Sequence, residues 1–124
     1  MAKQSKKENP FVGRWHIVSM SAWEDDCLNE EVQAFIEFDA GGRGALHFGY
    51  VQGQFDYRTK KRDGQRAAQF CWDGEDGADD TPLEGIGWAN LEGDRLSGMI
   101  CIHLGDDLEF VAKKAKEKKA TKRK

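Results

Sequence analysis

The segment FVGRWHIVSM, residues 11–20, is the first apolar stretch of the chain, and it decides how the rest is interpreted. Its apolar residues Trp15 and Ile17 alternate with polar ones, a period of two that is typical of a β-strand with one buried face. Gly13 precedes this alternation and gives the backbone freedom at the point where the segment begins. The segment therefore predicts a strand that opens a sheet and carries Trp15 on its inner face.

The same alternation recurs along the chain, with turn-forming residues about every eight to twelve positions. It predicts eight strands, at about 13–23, 33–39, 43–48, 52–59, 66–73, 84–91, 95–104 and 107–113. Asp63-Gly64, Gly93-Asp94 and Gly105-Asp106 predict tight hairpin turns, because they supply the positive φ that such turns need. Short links between sequential strands predict an all-β fold, an eight-stranded antiparallel up-and-down barrel. The acidic segment around residues 24–32 has room for one short helix at most.

Charge divides the chain of 124 residues into three parts. Residues 1–10 carry three Lys and one Glu, and residues 113–124 carry eight Lys or Arg and one Glu. Residues 11–112 carry eight basic and twenty acidic side chains. Dense runs of like charge are typical of solvated arms. We therefore predict a disordered basic leader over 1–10, a single acidic barrel domain over 11–112 and a disordered basic tail over 113–124.

Composition also limits the class of protein. No apolar run reaches the roughly 18 residues of a membrane span, and the leader lacks the apolar stretch of a secretory signal. The cysteines Cys27, Cys71 and Cys101 are widely spaced, so neither a disulfide framework nor a zinc ribbon is predicted. These features predict a cytoplasmic protein without a membrane span, and they leave its oligomeric state open.

The inner face of the predicted barrel is bulky and aromatic. If Trp15 points inward, alternation assigns to the same face Ile17, Ile36, Phe38, Leu46, Phe48, Phe55, Tyr57, Phe70, Trp72, Ile86, Trp88, Ile100, Ile102, Leu108 and Phe110. An eight-stranded lumen either fills with side chains or holds one small ligand. The candidate ligand contacts are Phe38, Phe48, Phe55, Tyr57, Trp72, Trp88 and Phe110. Gly85, Gly87, Ala89 and Gly98 could admit bulky neighbours or leave a recess, and the sequence leaves both alternatives open.

The start of the first strand resembles the calycin superfamily, whose lipocalins and fatty-acid-binding proteins open their first strand with G-x-W. Phe11-Val12-Gly13-Arg14-Trp15, followed by His16-Ile17-Val18-Ser19, is most similar to the fatty-acid-binding group. The resemblance implies a barrel floor that the chain enters tightly at Gly13 and that Trp15 plugs. It extends to small uncharacterised bacterial proteins of the same barrel type, which imply no activity.

Two departures from the fatty-acid-binding group limit what the resemblance implies. Those proteins place a helix pair after the first strand, where this chain has room for one short helix. Near their end they carry an Arg-x-Tyr that holds the fatty carboxylate, whereas Leu108-Glu109-Phe110-Val111-Ala112 has neither residue. Carboxylate binding is therefore not implied.

A meander sorts its loops between two ends of the barrel. The loops after the first, third, fifth and seventh strands share the end that is the open mouth in calycins, and they contain no Lys or Arg. The predicted acidic rim of this mouth comprises Asp25, Asp26, Glu75, Asp76, Asp79, Asp80, Asp106 and Asp107. The opposite end, or floor, holds both basic tails and Arg43, Arg58, Lys60, Lys61, Arg62, Arg66 and Arg95, against Asp39, Asp63, Glu92 and Asp94. Such a field steers cations to the mouth and anions to the floor, unless the acids serve only solubility.

No metal site, cofactor or catalytic residue is predicted. The loop DGEDGADD, residues 73–80, is rich in carboxylates that could hold Ca²⁺, but it lacks the ligand order of an EF-hand, so an unstructured acidic loop is the preferred interpretation. Cys101 and His103 share one face of the seventh predicted strand, and His47 and Cys71 lie on the outer face of the third and fifth. Because these strands are not adjacent, the four groups are not expected to converge as zinc ligands. The motifs of P-loop, nucleophile-elbow and zincin enzymes are absent from the sequence.

The sequence supports two alternative functions. The first expectation is a non-enzymatic barrel that binds a small neutral or cationic hydrophobic ligand in a shallow aromatic recess under the acidic rim. The alternative is a filled barrel that acts as an interaction module, whose basic tail and acidic rim contact protein or nucleic-acid partners weakly. The tail suits salt-sensitive phosphate contact, but no aromatic stacking platform is predicted on a basic face. An enzyme ranks last, with Tyr57 as its one evident proton-transfer group.

Overall fold

In a computed structural model, the strands close into one barrel in the order of the chain. The structure describes residues 9–62 and 64–115. The strands are β1 Gly13–Met20, β2 Phe35–Phe38, β3 Arg43–Phe48, β4 Val51–Arg62, β5 Gln65–Asp76, β6 Thr81–Glu92, β7 Arg95–Ile102 and β8 Asp107–Lys114. A one-turn helix, α1 Asp25–Leu28, follows β1. The predicted all-β, eight-stranded antiparallel up-and-down barrel is thereby confirmed.

β1 closes the barrel because it pairs with both β2 and β8. Trp15 lies opposite Ile36 on one side and opposite Lys114 on the other. The register with β8 shifts between Ile17 and Ser19, so Val18 is the extra residue of a β-bulge. The bulge changes the phase of the alternation. It lets Ile17 and Met20 both point into the core, although they are three residues apart.

The three central strands are longer than predicted. β4, β5 and β6 each contain 12 residues, so the predicted limits of 52–59, 66–73 and 84–91 were too narrow. Their additional residues are mainly charged or polar, and such residues carry no hydrophobic period. The hairpin of β4 and β5 extends beyond β3. The pairing of β3 with β4 ends at Arg43 and Asp56, whereas β4 continues to Arg62.

The predicted limits of the barrel domain need correction at both ends. β8 includes Lys113 and Lys114, which were assigned to the disordered tail, and the amide of Ala115 donates to the carbonyl of Arg14 at 2.9 Å. Asn9, assigned to the leader, bonds to a barrel side chain. The remainder of the predicted leader and tail, residues 1–8 and 116–124, lies outside the described residues.

The predicted hairpin turns are confirmed at Gly64 and Gly93, which both have positive φ. The predicted Gly105-Asp106 turn was placed too late in the sequence. Leu104, rather than Gly105, takes a left-handed conformation there, with φ of 61°, and its side chain is 94% exposed. A leucine in this conformation is sterically disfavoured, so local sequence preference gave no signal for it.

Aromatic rings fill the interior by lying against glycines of neighbouring strands. A Cβ added to Gly44 would collide with the ring of Phe55, and one added to Gly87 would collide with the ring of Phe70. The indole of Trp72 lies between Gly53 and Gly85, and its Nε1 donates to the carbonyl of Cys101 at 3.1 Å. The glycines therefore admit bulky neighbours, which is one of the two alternatives that the sequence left open.

The predicted inner face is wrong on β6. Gly87 faces Phe70 in the core, and side chains alternate along a strand, so Ile86 and Trp88 point outward. Ile86 is 53% exposed, and Trp88 is half-buried on the outer wall. Hydrophobicity assigned the larger residues to the core, whereas the barrel places Gly87 and the buried Ala89 there because the rings of β5 occupy that space.

Helix contributes little to the fold. α1 has four residues, and its Leu28 is buried under the mouth of the barrel. Within residues 9–62 and 64–115, no helix has both the length and the apolar character required to cross a membrane.

Replacing Trp15 by Ala is expected to lower the free energy of unfolding by about 3–5 kcal/mol, because the fully buried indole leaves a cavity. Val18→Ala is the control on the same strand, since the Val18 side chain is 42% exposed on the bulge and its truncation is expected to cost less than about 1 kcal/mol. Urea denaturation followed by circular dichroism measures both. Equal losses in the two variants would contradict this role of Trp15.

Candidate functional site

The floor of the barrel is a packed cluster around Trp15. The indole Nε1 donates to the carbonyl of Phe11 at 2.9 Å, and the buried ring of Phe11 packs against Phe38 with centroids 5.6 Å apart. Lys114 covers the other side, with Nζ 4.7 Å from the Trp15 ring centroid and 2.9 Å from the carbonyl of Val12. Gly13 has φ of 124°, a conformation that favours glycine. Trp15 therefore packs at the end of the barrel where Gly13 begins β1, and the floor roles predicted for both residues stay predictions.

The Tyr57 hydroxyl forms two hydrogen bonds at the floor of the barrel. The hydroxyl donates to the carbonyl of Asp39 and accepts from Nδ2 of Asn9 at 2.9 Å. Burial raises the pKa of the Tyr57 phenol, and the Asp39 carboxylate raises it further, while the Asn9 bond acts in the opposite direction. The hydroxyl that was the one candidate for proton transfer therefore has two structural partners at the closed end of the barrel.

The predicted ligand contacts fall into three groups. Phe38, Phe55 and Tyr57 pack together in the floor half, where the centroids of Phe38 and Tyr57 are 4.9 Å apart. Phe48, Trp72 and Phe110 are buried elsewhere in the same core. Trp88 is separate from all of them, because it lies on the outside of the barrel.

The mouth is covered by the loop between β1 and β2. The Trp23 ring meets Phe48 edge-on, with centroids 5.3 Å apart, and lies over Gly49, where a Cβ would collide with it. The amide of Gly49 donates to the carbonyl of Leu28 at 2.7 Å. Met20 is buried beside this loop. The loop thus packs against the aromatic interior from above.

The acidic residues predicted for the rim lie on the loops and strand ends of the mouth. Asp26, Glu75, Asp79, Asp80, Asp106 and Asp107 are exposed, Asp76 is half-buried, and the side chain of Asp25 lies outside the described part of the chain. Two of these carboxylates stabilise the β5–β6 turn: Asp76 accepts from the amide of Ala78 at 3.0 Å, and Asp79 accepts from Oγ1 of Thr81 at 2.6 Å. Across residues 9–62 and 64–115, no three His, Cys, Asp or Glu side chains converge as metal ligands.

The floor end carries exposed basic side chains on the protruding β4–β5 hairpin. Arg58, Lys60 and Lys61 on β4 and Arg66 on β5 are all exposed. Arg58 and Lys60 have no hydrogen-bonding or ionic partner within the described part of the chain. Arg95 and Lys113 lie opposite each other on β7 and β8 at the same end. Glu92 and Asp94 lie at the turn between β6 and β7 and are acidic residues of this end.

The outer wall has a groove beside Trp88. Its volume is about 520 Å³, and its lining includes Arg58, Gln69, Cys71, Ile86 and Trp88. A second groove of about 530 Å³ lies on the other side of the same indole, lined in part by Asn90, Ser97 and Met99. Both grooves are open to solvent, in contrast to the packed interior.

Several residues of these surfaces were missed by sequence reasoning. Lys114 was assigned to the tail, and Phe11, Trp23 and Leu28 received no role. Leu28 carried a usable signal, because it is an isolated apolar residue within the acidic segment that forms α1. Lys114 carried none, since its neighbours in sequence are lysines of the same kind.

Comparison with family models, with curated proteins and with solved structures gives no match to this chain.

Lys114→Met is expected to destabilise the protein by about 1–2 kcal/mol, because it removes the cation above Trp15 and the bond to the Val12 carbonyl. Lys113→Met is the matched control, with the same change of charge on an exposed neighbour and an expected effect below about 0.5 kcal/mol. Thermal and urea denaturation compare them. Equal stability of the two variants would show that Lys114 belongs functionally to the tail.

The tyrosines provide a test of pH dependence. The Glu30 carboxylate is the main cause that raises the pKa of Tyr50, and burial is the main cause for Tyr57. The folded state therefore favours the neutral phenols, and their contribution to stability is full below about pH 10 and decreases as pH rises through the folded pKa values. Tyrosinate absorbance is expected to appear at higher pH in the folded chain than in urea, and Tyr50→Phe isolates Tyr57. Coincident folded and unfolded titration curves would contradict this.

Proposed function

We propose that this protein is a filled barrel that acts as a binding module, and that its basic floor end docks a polyanion. The observation that carries the proposal is the protruding β4–β5 hairpin, on which Arg58 and Lys60 are exposed and make no hydrogen bond or ion pair within residues 9–62 and 64–115. The partner is defined by its chemistry, a macromolecule with closely spaced negative charges such as a phosphate backbone or an acidic polypeptide.

Packing of the interior supports a binding function on the outside. The rings of Phe38, Phe55 and Tyr57 contact one another, and Phe55 and Phe70 lie 4.7 Å apart between centroids. These aromatic residues are at most 7% exposed. A ligand in this space would have to displace side chains that already pack at ordinary contact distances. We therefore prefer the interaction module to the carrier of a hydrophobic ligand.

The position of the basic residues supports an anionic partner. Strand pairing places Lys61 opposite Arg66, so the hairpin carries cations on both strands and on both of its faces. Like charges concentrated on one hairpin attract a polyanion, and its binding lowers their mutual repulsion. The described chain ends, at Asn9 and Ala115, lie at this end of the barrel, and the sequence adds basic residues beyond each of them.

Charge at the mouth supports a defined orientation of binding. The rim acids lie at the opposite end from the hairpin, so the two ends of the barrel have opposite charge. A polyanion is repelled by one end and attracted by the other, which raises the rate of productive encounters at low ionic strength. The acidic rim thus contributes to the orientation without contacting the partner.

The proposal includes a relationship to calycins. Its support is the closed eight-stranded meander, the short helix after β1 and the position of Trp15 in the floor. The relationship concerns architecture and is separate from the identity of the partner.

Binding of fluorescently labelled polyglutamate tests the proposal. The wild type is expected to bind with an affinity that falls as salt rises, and Arg58→Gln/Lys60→Gln is expected to weaken binding about fivefold, as two exposed ionic contacts are lost. The control, Val32→Glu/Gln52→Glu, makes the same change of net charge with exposed residues at the mouth. Equal weakening in both variants would attribute binding to net charge and refute a docking surface at the floor.

A further inference from the structure

An indole on the outer wall of the barrel extends the basic surface of the floor. Strand pairing places Trp88 of β6 opposite Gln69 of β5, and Gln69 opposite Arg58 of β4. The three side chains therefore form one row across the sheet, with about 10 Å between the outer two at the usual strand spacing. Lys60 is the next outward residue on β4, toward the floor.

The indole is accessible from two sides. The groove of about 520 Å³ separates Trp88 from Arg58, with Gln69 between them, and the groove of about 530 Å³ lies toward Met99. Trp88 is half-buried, while its neighbour Ile86 is 53% exposed. An aromatic side chain that stands between two open grooves offers flat apolar surface to a ligand.

The residues beside the indole are suited to hydrogen bonding with a polar ring. Gln69 is exposed on one side, and Asn90 and Ser97 lie one row nearer the floor, opposite each other. Their amide and hydroxyl groups both donate and accept, so they fit the edge of a heterocycle without selecting one arrangement of donors. In the next row toward the mouth, Asp56 is paired with Arg43 at 3.1 Å, and Asp107 is exposed. In the row of Trp88 itself, Glu109 is exposed beyond Met99, so an anionic ligand is favoured on the Arg58 side of the indole and disfavoured on the Met99 side.

We propose that Trp88 stacks on a base of single-stranded nucleic acid whose phosphates contact Arg58 and Lys60. This inference rests on the proposed function and names the class of polyanion. Single-stranded nucleic acid combines the two chemistries that this wall presents, a flat aromatic surface and a chain of negative charges. An acidic polypeptide supplies charge alone, and a duplex keeps its bases stacked on one another. The prediction from sequence that no stacking platform lies on a basic face is thus revised by the outward direction of Trp88.

The test compares three labelled probes on the full chain: a single-stranded pyrimidine oligonucleotide, the duplex of the same length, and polyglutamate. The single strand is expected to bind most tightly. Trp88→Ala is expected to weaken single-strand binding about tenfold and to leave polyglutamate binding unchanged, because stacking is lost while charge is kept. Arg58→Gln/Lys60→Gln is expected to weaken both and to reduce the salt dependence of oligonucleotide binding.

Tyr50→Ala is the matched control, since it removes an exposed aromatic side chain at the acidic end and is expected to leave all three affinities unchanged. A second variant, Trp88→Phe, distinguishes the loss of stacking from a loss of folding in Trp88→Ala. It keeps an aromatic ring, so it is expected to retain most of the affinity while the quenching of tryptophan emission by the oligonucleotide is lost.

The outcomes separate the two proposals. If Trp88→Ala binds the single strand as tightly as the wild type, the stacking inference is refuted and polyanion docking stands. The same conclusion follows if the wild type binds polyglutamate as tightly as it binds the single strand. Tighter binding of the duplex also refutes stacking. If neither polyglutamate nor the oligonucleotide binds, the proposed function fails together with the inference.

Discussion

The interior volume of an eight-stranded barrel is the constraint on which the rest of this structure depends. Its strand number fixes a lumen just wide enough for side chains, and this chain places Trp15, Phe38, Phe55, Phe70 and Trp72 in it. The rings of Phe55, Phe70 and Trp72 fit because glycines stand beside them on adjacent strands, where a Cβ would crowd the ring. A larger residue at such a glycine would require the ring to move, and the ring has packed neighbours on its other side. Glycines and rings are therefore a single packing unit, although they are far apart in sequence.

This constraint explains which features were predictable from the sequence. Strand order, antiparallel pairing and closure followed from the period-two pattern and the turn residues, because both are local properties. The inner face of β6 did not follow, since Ile86 and Trp88 are more apolar than Gly85 and Gly87, and hydrophobicity alone favours the larger pair. The decisive information was the size of the residues on β5, which is a non-local property. The available signal for the inner face was that Gly85 and Gly87 occupy alternate positions on β6, opposite residues of β5 whose rings were predicted to point inward.

The sign of the charge at each end of the barrel was predictable, but the contacts of individual residues there were not. Acidic and basic residues sort between mouth and floor because meander topology assigns each loop to an end, and that step needs only the order of strands. Lys114 could not be distinguished from the lysines around it, because its role depends on the register of β8 against Trp15. The same holds for the length of the β4–β5 hairpin, whose charged residues pair as strands although they give no hydrophobic signal.

The outward position of Trp88 connects the packing argument with function. With the lumen filled by side chains of the other strands, the indole on β6 lies on the outer wall, where it is half-buried. Exposed aromatic surface costs free energy in water, about 25 cal/mol for each Å² that stays in contact with solvent. A partner that covered the exposed part of the indole would offset that cost. Under the proposed function, Arg58 in the same row attracts the negative charge of a partner that covers the indole, and Glu109 beyond Met99 repels it, so the partner would approach from the side of Arg58.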